Sequence, residues 1–93
     1  MKSFNEKISW DKLKKSLKVG EQITGTVIRH EQYGVFVDIG YEFDGLIQIT
    51  DFRDEATMTQ EEYPVIGSKI NVIVLGFKDF GCQIWLGVKQ VNL

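Results

Sequence analysis

Five short stretches of this sequence alternate apolar and polar residues with a period of two, and that alternation limits what the chain can fold into more than any other feature. A pleated strand turns successive side chains to opposite faces, so each stretch can cover one side of a core. Ile23, Gly25 and Val27 alternate with Gln22, Thr24 and Thr26, and β-branched residues dominate from Ile23 to Ile28. In the second stretch Val35, Val37 and Ile39 share one face, while Phe36 and Asp38 share the other. Leu46-Ile47-Gln48-Ile49 reads as a third strand. Lys69 to Leu75 sets Ile70, Val72 and Val74 against Asn71 and Ile73, and Gln83 to Val88 completes the set. Turn chemistry separates neighbours at Tyr33-Gly34, from Gly40 to Asp44-Gly45, and at Lys78-Asp79-Phe80-Gly81.

Two segments lack this period. Ser9 is placed to cap a helix starting at Trp10, with Trp10, Leu13 and Leu17 at i, i+3 and i+7, and Val19-Gly20 ends it. Thr59-Gln60-Glu61-Glu62 has the form of a capping box and Pro64 stops any helix begun there, which predicts a short helical link between strands 3 and 4. Ninety-three residues suffice for one domain and no more. The resulting fold class is all-β: a five-stranded closed barrel of the oligonucleotide/oligosaccharide-binding type, the OB-fold. Residues 1–18 form a basic amphipathic N-terminal helix segment ahead of it, and 19–93 form the barrel.

Composition narrows the function. Cys82 is the single cysteine and His30 the single histidine, too few for a metal cage and without the spacing of a nucleophile and its base. No catalytic residue, metal or cofactor is expected. The glycines lack the following lysine and hydroxyl of a phosphate-cradling loop. A lone thiol and a start without a secretory leader place the chain in the cytoplasm, and the longest apolar run, Val72 to Leu75, is far short of a membrane span. Charge is uneven. Six lysines against Glu6 and Asp11 give residues 1–18 a net +4, whereas seven carboxylates against Arg53 give 42–62 a net −6, within an overall −2. A broad phosphate-binding surface is excluded, which leaves a confined neutral face or the basic leader for any nucleic acid.

Phe36 lies opposite the apolar set of its strand, so its ring either stacks on a base or covers a barrel end. Taken together, Gly20-x-x-x-x-Gly25-x-Val27, Tyr33-Gly34-Val35-Phe36-Val37-Asp38-Ile39-Gly40, Gly45-Leu46-Ile47-Gln48-Ile49-Thr50, Gly67-x-x-Ile70-x-Val72-x-Val74-Leu75 and Ile84-x-Leu86-x-x-Lys89 resemble the S1 RNA-binding domain family over about residues 19–89. The resemblance implies single-stranded RNA lying across strands two and three and the turn between strands four and five. Tyr33 and Phe36 stand where that family places its stacking aromatics. Gln48 stands where it commonly has histidine, Gln83 where arginine is usual, and Asp79 at its turn aspartate, with Lys78 the alternative occupant. Two neutral glutamines imply weaker RNA binding than is typical. Trp85, turned outward by the alternation, is placed to stack a base, to receive a protein neighbour or to accept Trp10, Leu13 and Leu17 of the leader helix, the last being favoured. The implied function is non-catalytic binding of single-stranded RNA, with a ribosomal or other RNA-associated protein as a further partner and no membrane. The alternative is a protein-interaction module of the same fold with weakened RNA affinity.

Overall fold

The computed structural model describes residues 9–52 and 60–88. Helix α1 spans Trp10–Ser16, and the Ser9 hydroxyl accepts from the Lys12 N–H at 3.2 Å. Seven residues are too few for a helix to persist by propensity alone. Its support is tertiary: Leu13 and Leu17 are fully buried in the same cluster as the strand residues.

Five strands follow, β1 (Gln22–Glu31), β2 (Gly34–Asp38), β3 (Gly45–Gln48), β4 (Lys69–Lys78) and β5 (Gln83–Val88). They close into a barrel in the order β1-β2-β3-β5-β4, antiparallel throughout except where β3 meets β5. The inward residues are those the alternation selects: Val27, Val35, Val37, Ile47, Val72, Val74, Ile84 and Leu86. Gly34 has its own reason. A Cβ there would strike the Ile47 carbonyl, so β2 can begin this close to β3 only with glycine.

β1 and β4 run further than the alternation indicates, to Glu31 and Lys78 rather than Ile28 and Leu75. Each carries a bulge where the pattern stops, between Val27 and Arg29 against β2 and between Val74 and Gly76 against β5. One extra residue slips the phase of the side chains while the ladder continues beyond it.

Among the described residues, the link between strands 3 and 4 carries 3₁₀ turns at Ile49–Asp51 and Gln60–Glu62, where a short helical connection was expected. Pro64, two residues after the second, prevents its extension; Thr59 of the capping box lies outside the described residues. The connection is tied to the end of β1. Phe52 stacks on Tyr63 with centroids 5.8 Å apart, the Tyr63 hydroxyl donates to the Glu31 carbonyl at 2.9 Å, and His30 Nε2 lies 2.7 Å from the Pro64 carbonyl. Burial raises the Tyr63 hydroxyl above the ordinary tyrosine range. Among the described residues no helix is long and apolar enough to cross a membrane.

Candidate nucleic-acid interface

The two bulges decide which side chains meet on the outside of the barrel. Without the β1 bulge, Ile28 would stand opposite Phe36; with it, the partner is Arg29. Without the β4 bulge, Leu75 would face Trp85; with it, the partner is Gly76. Register then continues from Phe36 to Leu46 and from Leu46 to Trp85. Arg29, Phe36, Leu46, Trp85 and Gly76 therefore form one outward row crossing all five strands.

Both aromatics in this row carry a cation. The Arg29 guanidinium carbon sits 4.1 Å from the Phe36 ring centroid, a cation–π contact, and Arg29 Nε donates to Glu31 Oε2 at 2.9 Å. Lys78 Nζ lies 5.7 Å from the Trp85 centroid. The Trp85 ring rests over Gly76, where a Cβ would come within 3.3 Å of it, and its Nε1 donates to Asp51 Oδ2 at 2.7 Å.

Tyr33, in the turn between β1 and β2, meets the edge of Phe36 at 6.2 Å and an interplanar angle of 88°. Tyr33 is 52% exposed. Phe36 is more covered than its place opposite the apolar set suggests. It points away from the barrel core as expected and belongs to no part of the central cluster, but it is only 5% exposed. Arg29, Leu46 and Tyr33 surround it, so it is not a bare ring waiting for a base. It is the support on which an arginine lies.

The remaining expected residues divide into two groups. Gln48 ends β3 opposite Gly34, while Lys78 and Gln83 face each other where β4 and β5 meet their turn; all three are partly exposed. Asp79 also engages α1. Its Oδ1 accepts from Trp10 Nε1 at 2.8 Å and from Lys14 Nζ at 2.7 Å, which ties α1 to the β4–β5 turn. The hydrogen bond from Lys14, then that from Trp10, holds the Asp79 carboxyl below the usual carboxylate range, and the same bond raises Lys14. Trp85, expected against the leader helix, has its described contacts with Gly76, Asp51 and Lys78. Trp10 packs edge-on against Phe43 at 5.2 Å and Phe77 at 5.9 Å, and the helix's apolar stripe is used up there and in the core. Phe80, at the tip of the β4–β5 turn, is 99% exposed.

Arg29 went unnoticed in the sequence because alternation alone assigns its place to Ile28. The available signal was the failure of the period at Ile28-Arg29, the mark of a bulge.

The S1 RNA binding domain family model matches residues 16–89. This chain belongs to the S1 RNA-binding domain family. Small ribosomal subunit protein bS1 of Pseudomonas aeruginosa is 38% identical to this S1 domain over 80 residues, and that of Staphylococcus aureus is 40% identical over 80 residues. Each match covers 86% of this chain but only 14% and 20% of those longer proteins. Among solved structures, GSP13 from Bacillus subtilis superposes with a TM-score of 0.68 at 28% identity, over 77% of this chain and 55% of that one. An a/eIF2alpha-aDim2p-rRNA complex from Pyrococcus horikoshii contains a chain that superposes at 0.68 with 21% identity, over 81% of this S1 domain and 46% of that chain. The barrel architecture is common to them.

Proposed function

We propose that this S1 domain binds single-stranded RNA without catalysing any reaction on it, through the outward face of β2 and β3 together with the β4–β5 turn. The observation that carries this reading is Tyr33, a half-exposed ring held at the edge of the aromatic row, with membership of the S1 family behind it. Tyr33 receives a base on its face. Phe36 braces Tyr33 and Arg29 from beneath. Gln48, Lys78 and Gln83 provide polar contacts to base edges and phosphates, and Asp79 holds the β4–β5 turn in position through α1. The neutrality of Gln48 and Gln83 limits affinity, because neither supplies the charge-assisted bond that a histidinium or guanidinium would. Likeness to segments of small ribosomal subunit protein bS1 supports a cytoplasmic, ribosome- or messenger-associated setting.

Titration of fluorescently labelled single-stranded RNA and of duplex RNA of equal length tests the proposal. Single strands are expected to bind more tightly than duplex, and Tyr33→Ala to remove most of the difference, because one base stacked on an aromatic ring is worth about 1 to 3 kcal/mol. Equal, weak binding of both RNAs, unchanged in Tyr33→Ala, would instead favour a protein-docking barrel.

A further inference from the structure

The β1 bulge selects an arginine, in place of the isoleucine beside it, for the position over Phe36. The arrangement that follows has three features. The guanidinium carbon lies over the Phe36 ring, 4.1 Å from its centroid. Its Nε donates to Glu31 Oε2 at 2.9 Å, an ion pair that does not draw on the two terminal amino groups. The Arg29 side chain is 57% exposed although the ring beneath it is 5% exposed, so what this part of the row presents to solvent is chiefly the cation. A guanidinium is planar, weakly hydrated and stacks on aromatic and nucleobase faces alike, while its fork matches phosphate oxygens.

We infer that Arg29 is itself an RNA-contacting residue, its outer plane taking a base or its terminal amino groups a backbone phosphate, with Phe36 as the backing and Glu31 fixing the plane. Base and guanidinium then continue a stack begun by Phe36, next to the base on Tyr33. The inference rests on the RNA-binding reading above and adds to it a cation contributed by β1. Lys78 over Trp85 is the corresponding pair at the far end of the row, but a lysine is a point charge with no plane to stack. The commitment is therefore to Arg29.

The test compares wild type, Arg29→Gln and Arg29→Lys for binding to a short labelled single-stranded oligoribonucleotide across a salt series, with Tyr33→Ala in parallel. Arg29→Gln is expected to weaken binding about tenfold. If a phosphate is the contact, the variant also flattens the log affinity against log salt slope by about 0.7. Arg29→Lys should restore the slope but not the full affinity. Thermal melts establish whether each variant folds, and an independent measurement on wild type covers the case in which one does not: the Arg29 Nε–Hε resonance should shift on addition of the oligonucleotide. An unchanged affinity and slope in both Arg29 variants, with a loss in Tyr33→Ala, would overturn the inference and leave the RNA-binding reading standing. An unmoved Arg29 resonance at saturating RNA would overturn it equally. No preference for single strands and no effect of Tyr33→Ala would remove the underlying reading and the inference together.

Discussion

Tyr33 and Phe36 are three residues apart and have opposite relations to solvent. Tyr33 lies half open at a turn, while Phe36 is closed in by Arg29, Leu46 and the edge of Tyr33. Their substitutions should therefore separate binding from stability. Tyr33→Ala is expected to cost about 1 to 3 kcal/mol of single-stranded RNA affinity and to change the unfolding free energy by about 0.5 kcal/mol or less, read by fluorescence titration and by urea denaturation. Phe36→Ala should cost about 3 kcal/mol of stability on the scale of buried phenylalanine truncations, with loss of affinity following from loss of the platform. Gly34→Ala should destabilise by about 1 to 3 kcal/mol, because the added methyl must displace the Ile47 carbonyl of the neighbouring strand. That Phe36 points outward was legible from its place opposite Val35 and Val37. That it is covered was not, since its cover comes from another strand and arrives there through a one-residue slip in register.

At the scale of elements, the alternation located all five strands and the capping pattern located α1. What it missed has a single physical origin in β1 and β4, where a bulge ends the period without ending the strand. The function of α1 was also only half legible. The spacing of Trp10, Leu13 and Leu17 gave its apolar stripe, but the partners of that stripe depend on contacts far along the chain: the barrel core, Phe43, Phe77 and Asp79. Leu13→Ala is expected to destabilise the whole barrel by about 2 to 5 kcal/mol in chemical denaturation, since it removes a fully buried side chain of the central cluster. The bond between α1 and the β4–β5 turn carries a pH signature. Asp79 is held below its ordinary range, so its contribution is complete above that range and is lost as pH falls through the lowered value; Lys14 is raised, so its contribution is lost only as pH rises through a value above that of an ordinary lysine. Between these limits the link is constant. Melting temperatures of wild type should fall toward those of Asp79→Asn as pH drops below about 4, and the two proteins should differ by a constant amount across neutral pH.

For the whole molecule, a net charge of −2 with the basic excess confined to residues 1–18 means that field strength is not what recommends this barrel to RNA. On the proposed reading local chemistry does so, through a row of side chains across the strands in which Phe36 lies under a guanidinium and Trp85 beside an ammonium. Affinity built on stacking and one or two cations should fall only gently with salt, with a slope of about −0.7 to −1.4 on single strands; a steep slope would point to the leader lysines. The most direct measurement is an amide chemical-shift map of the isotope-labelled protein titrated with a short single-stranded RNA. The largest perturbations should fall at Tyr33, Phe36, Gln48, Lys78 and Gln83, and the far wall formed where β1 pairs with β4 should stay quiet. Perturbations confined to the leader and α1, or none at saturating RNA, would contradict an interface on this face.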